Sequence, residues 1–265
     1  MLAPRQGDVV VKEASAELAL GDDYRFYGPE DTRTIVVDMW ENPAGEADGV
    51  LGMVMPADAT PQDRSWGAIL TYEDIGWVSA EDARTADYDA LLSEMQAEAM
   101  RANDARRAGG FPTVTVTGWA QQPRYDSVGH TVSWGRRLSY ADGGPDGLHY
   151  DLRLLGRHGV LSLNIVATMD QIHEVRAAAD ELAKRASFEP GHRYGDFDEA
   201  RDDVAGYGIA GLVATGAGVA VAKNVGLLAM LAKFAQPIGI ALLVLAAAIA
   251  TLFRKISRRK ERATR

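Results

Sequence analysis

Residues 204–253 carry only two charges, Lys223 and Lys233, and this constrains the chain more than any other feature. About 20 consecutive apolar residues span a bilayer core. Two uncharged runs approach that length, 204–222 with 19 residues and 234–253 with 20. The second is almost wholly Ile, Leu, Val and Ala through its centre, which includes Leu242, Leu245 and Ile249. Pro237 stands near its start, where a missing N–H costs little. Arg254, Lys255, Arg258, Arg259 and Lys260 follow at once, the pattern of a cytoplasmic membrane boundary.

The first run is richer in glycine, with Gly206, Gly208, Gly211, Gly216 and Gly218. Ala210, Ala214, Gly218 and Ala222 fall at four-residue spacing, which lets helices approach closely in lipid. A buried hairpin helix or an interfacial segment satisfies the same composition. The expectation is a membrane anchor of one or two spans. Gly206 to Gly211 also spells G-x-G-x-x-G. A dinucleotide site needs that motif between a strand and a helix, with an acid some 20 residues on. Here an acidic segment precedes it and an apolar one follows, so no nucleotide is expected.

The chain therefore divides into a soluble domain, 1–203, an anchor, 204–253, and a basic tail, 254–265. The tail carries +6 and the anchor lysines +2, so a net charge of −9 leaves the first 203 residues at −17. A domain that acidic has no broad face for nucleic acid or anionic lipid, whereas the tail suits anionic headgroups. With no cysteine, disulfides and thiolate chemistry are excluded. Residues 1–8 lack the apolar core of a signal peptide. A basic tail in the cytoplasm puts the domain outside the cell if one run spans, and inside if both do.

Within the domain, 9–11, 16–20 and 24–27 read as short strands, and Gly28-Pro29-Glu30-Asp31 as a helix start. Ile35, Val36, Met39 and Trp40 give that helix an apolar face, and Asn42-Pro43 stops it. Residues 49–55 and 66–72 read as a strand pair, with Gly76-Trp77-Val78 extending the second. Residues 87–107 form the clearest helix, capped by Asp87 and ended by Gly109-Gly110. Strands follow at 113–119, 131–140, 148–155 and 160–168, the last two joined by a hairpin turn at 156–159. Alternation sets Leu148, Tyr150, Leu152 and Leu154 on one face and Asp151, Arg153, Ser162 and Asn164 on the other. Thr168-x-x-Gln171 is a capping box that opens a helix with Ile172, Val175, Ala179, Leu182 and Ala186 on its core face; Glu189-Pro190-Gly191 ends it. Meandering antiparallel strands with inserted helices predict an α+β domain, an antiparallel sheet with packed helices.

Four segments carry a resemblance: Gly118-Trp119-Ala120-x-x-Pro123-x-Tyr125-Asp126, Leu154-Leu155-Gly156-Arg157-x-Gly159-Val160-Leu161, Leu51-Gly52-Met53-Val54-Met55-Pro56, and Val204-Ala205-x-Tyr207-Gly208-Ile209-Ala210. Together they resemble the bacterial membrane-anchored proteins of domain-of-unknown-function family 2167. The resemblance implies an exported domain at the inner membrane, and supplies no activity. The strand-hairpin-helix ending also resembles the PsbP/Mog1-like fold, an analogy that carries no function.

Candidate chemistry is sparse. His149 and Asp151 share a strand face, where an acid–base pair or a metal site has the right residue types. The plainer reading is the polar outer face of a half-buried sheet. Asp196, Asp198, Glu199, Asp202 and Asp203 fail the spacing of a calcium loop and read as a solvated acidic linker. Trp119, Tyr125 and Asp126 read as core or turn residues, with an aromatic cleft built from the five tryptophans as the alternative. No cofactor is called for, and the partners expected are the lipid bilayer and an unidentified protein. The leading reading is a membrane-anchored partner-binding or envelope-associated module; the rival is a hydrolase using His149, Asp151 and nearby carboxylates.

Overall fold

A computed structural model describes residues 2–216. Strands β1 (Asp8–Val11) and β2 (Ala16–Ala19) form a hairpin, and β3 (Tyr24–Tyr27) starts the main sheet. Helix α1 (Pro29–Arg33) continues as a π-helical run over Thr34–Met39. Strands β4 (Gly52–Pro56) and β5 (Gly67–Glu73) come next, then the long helix α2 (Tyr88–Ala108). Strands β6 (Val114–Asp126), β7 (Thr131–Tyr140), β8 (Gly147–Leu155) and β9 (Val160–Thr168) follow as a meander. Helix α3 (Ile172–Arg185), strand β10 (Ala186–Phe188) and the short helix α4 (Ile209–Thr215) complete the described chain.

The main sheet has seven antiparallel strands in the order β3-β4-β5-β9-β8-β7-β6. A second sheet pairs β1, β2 and β10. This is the α+β architecture expected from the strand alternation. The apolar face of β8 and β9 works as its pattern requires: Leu148, Tyr150, Leu152, Leu154, Leu161, Leu163 and Ile165 are buried in one core with Val175, Ala179 and Leu182 of α3. Fully burying an aliphatic side chain is worth about 1.5–3 kcal/mol, so this interface dominates the fold. The capping box is present, with Thr168 N and Oγ1 both donating to Gln171 Oε1, at 3.2 and 3.1 Å. Asp87 caps α2 by accepting from Ala90 N at 2.9 Å.

Three local expectations fail for tertiary reasons. Helix α3 stops at Arg185 because Ala186, Ser187 and Phe188 pair with β2, so Ala186 is a buried strand residue. Gly76-Trp77-Val78 does not extend β5. Gly76 takes a left-handed φ of 84°, and Trp77 turns aside to bridge Val204 in parallel. The acidic stretch is folded: Asp202 accepts from Arg157 Nε and Nη2 at 2.7 and 3.0 Å and from Asp198 N at 2.7 Å, and Asp196 accepts from Gly191 N and Arg193 N.

The largest correction concerns the first apolar run. Its opening belongs to the folded domain. Ala205 N donates to Trp77 O at 2.9 Å, and Ile209, Leu212, Val213 and Ala214 of α4 are buried. The domain therefore runs past residue 203, at least to Gly216. Ile209 N and Ala210 N, two of the free donors at the start of α4, both bond the Asp82 carboxylate, at 2.8 and 3.1 Å. Two of the glycines assigned to the anchor, Gly208 and Gly211, have domain roles. A Cβ on Gly208 would meet Asp82 Oδ1 at 2.5 Å, and one on Gly211 would meet the Tyr207 side chain at 2.4 Å. Asp82 also occupies the position a phosphate would need at this G-x-G-x-x-G. Among the described residues no helix is long and apolar enough to cross a membrane. The second run and its residues Pro237, Leu242, Leu245 and Ile249, together with Gly218 and the basic cluster 254–260, lie outside the described residues.

Candidate functional site

The sheet face opposite α3 is the unusual one. Register places Trp134 and Arg136 of β7 beside Asp151 and His149 of β8, Asp151 beside Asn164 and Arg153 beside Ser162 of β9, and Ser162 beside Thr71 of β5. Alternation aims all of these to one side. The face is not the solvated outer surface expected of a half-buried sheet. Asp151 is 2 % exposed and Arg153 4 %.

Charges buried this deeply have to be paired. Asp151 is held from both sides, by Arg136 Nη2 on Oδ2 at 3.2 Å and Arg153 Nη2 on Oδ1 at 3.1 Å. Arg153 Nη1 bonds Glu73 Oε1 at 3.2 Å and donates to Ser162 Oγ. Its guanidinium lies over the Trp134 ring, 5.5 Å from the centroid, a cation–π contact. Arg136 Nη2 also donates to Gly216 O at 3.3 Å. A Cβ on Gly216 would meet Trp134 at 2.7 Å and Arg153 at 2.9 Å, so only glycine lets the end of α4 lie this close. The network thus joins four strands of the sheet, β5, β9, β8 and β7, to the last described residue, Gly216. Trp134 Nε1, Arg136 Nε and Arg153 Nε are buried without a hydrogen-bond partner among the described residues. Leaving them so carries a cost that the charged pairs offset.

His149 sits beside Arg136 on this face. Burial, and then the Arg136 guanidinium, push its imidazole down to about 4, with Asp151 opposing and Arg106 adding to the depression. It is neutral at physiological pH. The pair imagined as an acid–base couple is therefore split. Asp151 has both oxygens committed to guanidinium groups, and His149 lacks the proton affinity of a general base near neutrality. Among the described residues no group of three or more His, Cys, Asp or Glu is placed to hold a metal ion. The geometry gives the hydrolase reading no support.

The other candidates are scattered. Trp119 Nε1 donates to Tyr88 O at 3.2 Å and ties β6 to the start of α2. Asp126 organises the β6–β7 turn by accepting from Val128 N and Gly129 N, at 3.0 and 3.3 Å. Tyr125 Oη lies 3.2 Å from His130 Nδ1. The five tryptophans form no common cleft: Trp66 donates to Glu174, Trp40 to Pro61 O, and Trp134 lies under Arg153. Trp77 joins a stack that sequence reasoning missed. Its ring centroid is 4.8 Å from Tyr194 and 4.5 Å from Phe197, and Tyr194 is 4.4 Å from His130. No local pattern announces this stack, because its members come from three segments far apart in the chain.

The family model described as "Protein of unknown function (DUF2167)" matches residues 3–249. The chain belongs to this family. That match runs through the domain and most of the second apolar run, so α4 and its docking lie within the shared region. A comparison with curated proteins finds no match. Among solved structures, the chain is similar to the solution structure of cyanobacterial PsbP (CyanoP) from Synechocystis sp. PCC 6803, with 11% identity and a TM-score of 0.37 over 71% of this chain and 92% of that one. So distant a likeness carries no functional argument here.

Proposed function

We propose that this member of the family is a binding domain tethered to a bacterial inner membrane by its C-terminal segment, and that it acts by engaging a partner there rather than by catalysis. One observation carries the reading: the apolar segment starts inside the domain. Helix α4 is buried, capped by Asp82, and its end is bonded to Arg136. The last described turn of the chain is therefore held by the fold. The uncharged run 234–253 has the length of a span, and the basic cluster beyond it has the composition of a cytoplasmic boundary. Both support a tether that holds the domain close to the bilayer, on the extracytoplasmic side if that run alone spans.

Membrane fractionation tests the tether. The full chain pellets with membranes after a carbonate wash, and a chain ending at residue 216 stays soluble and folded. A truncated chain that still pellets overturns the proposal. Orientation follows from single cysteines, since the sequence has none. Ala141→Cys, in an exposed turn, reacts with an impermeant maleimide on intact spheroplasts, and Thr264→Cys does not. Protection of both until lysis places the domain in the cytoplasm.

A further inference from the structure

Two cavities lie on the covered face of the sheet. One, of about 300 Å³, has a mixed polar and apolar wall that includes Glu73, Asp151, Arg153, Asn164 and Ile165. The other, of about 230 Å³, is mainly apolar and lies between α2 and β6–β7, with Ala99, Ala102, Val116 and Leu138 in its wall. Glu46, Arg136 and His149 border both. The cavities therefore adjoin at a junction of one cation, one anion and one imidazole. Their combined size falls in the range of small-molecule sites, and an apolar wall with a few convergent polar groups is the usual make-up of such sites.

The junction has unused binding capacity. Both hydrogen bonds of Arg136 run from Nη2, to Asp151 and Gly216 O, leaving Nη1 without one among the described residues. Asp151 is shared between two guanidiniums, so Arg136 has only part of a counter-ion. The Glu46 side chain makes no ion pair or hydrogen bond among the described residues and is exposed at the rim. We propose that the joined cavities bind a small zwitterion bearing an apolar group, the chemistry of an apolar α-amino acid, with its carboxylate on Arg136 Nη1, its ammonium on Glu46 and its side chain against α2. A simple anion would leave Glu46 opposing it, and a simple cation would face Arg136; a zwitterion matches both charges. His149 itself offers hydrogen bonds without adding charge.

The test is isothermal titration of L-leucine into the full chain in lipid nanodiscs, with empty nanodiscs subtracted. It does not depend on which way the domain faces or whether the tether spans. Leucine gives a saturable heat; glycine, 4-methylpentanoate and 3-methylbutylamine, which lack the side chain, the ammonium and the carboxylate respectively, bind at least tenfold more weakly. The His149 imidazole resonances shift on adding leucine. Glu46→Gln, at an exposed position, weakens leucine at least tenfold without moving the melting temperature, and Ala99→Phe fills the apolar cavity and abolishes binding. No heat and no His149 shift at millimolar leucine overturns the proposal. Equal binding of 4-methylpentanoate, or full affinity in Glu46→Gln, overturns the zwitterion assignment.

Discussion

Asp151→Asn tests whether the buried network is a true ion cluster. The substitution keeps the shape of the side chain and removes its charge. The side chains of Arg136 and Arg153 are only 11% and 5% exposed, so both guanidiniums are largely withdrawn from bulk water. Arg153 would keep Glu73 at 3.2 Å, but Arg136 would keep only the Gly216 carbonyl. Removing one partner of a buried charge pair costs about 3–5 kcal/mol, because an uncompensated charge stays behind. Asp151→Asn should therefore lose that much, read as a lowered urea midpoint at unchanged m-value in the full chain in detergent micelles. Tryptophan fluorescence reports on it, since Trp134 lies under Arg153. Urea is preferable to guanidinium, which screens charge. Adding Arg136→Met to Asp151→Asn removes the stranded cation and should recover about half of the loss, because replacing a whole buried ion group by apolar atoms is often neutral. A cost below about 1 kcal/mol for Asp151→Asn would refute the reasoning, since that is the value of a surface pair.

Leu212→Ala, in the middle of α4, should cost about 2–5 kcal/mol of domain stability if this helix is core, and close to nothing if it is lipid-facing anchor; thermal melting separates the two. Asn103 grips β6 through both amide atoms, accepting from Val114 N at 2.8 Å and donating to Val114 O at 2.9 Å, so Asn103→Leu should cost about 1–3 kcal/mol and raise hydrogen exchange along α2. Stability should also depend on pH through His149. Its pKa is depressed in the folded chain, so the unfolded chain binds more protons between about 4 and 6.5, and stability falls as pH drops through that window by about 3 kcal/mol. His149→Gln should flatten that part of the pH–stability curve, and an unchanged slope would remove His149 as the cause.

The sequence was enough for the sheet's apolar side. Period-two alternation in 148–155 and 160–168 names the residues that meet α3, and the capping box and Asp87 mark two helix starts, because these signals are local and each rests on one periodicity or one side chain. The same alternation named Asp151, Arg153, Ser162 and Asn164 as sharing a face. It read that face as wet, since a polar strand face ordinarily meets water. Only the tertiary structure showed it covered, with each charge answered by another strand.

The apolar C-terminal run marks the sharpest limit. An uncharged Gly- and Ala-rich segment is as compatible with a protein core as with lipid, because both exclude water and both favour small residues where helices approach closely. What assigns 204–216 to the domain is a carboxylate more than a hundred residues away, Asp82, set on the first turn of α4, and the carbonyl of Gly216 on Arg136. Neither contact leaves a mark on local composition. By itself the sequence determined that an apolar, nearly uncharged stretch and a basic stretch follow the acidic residues 1–203; that 204–216 is core was decided by tertiary contacts, since polar partners distant in the chain fix which apolar helix is core.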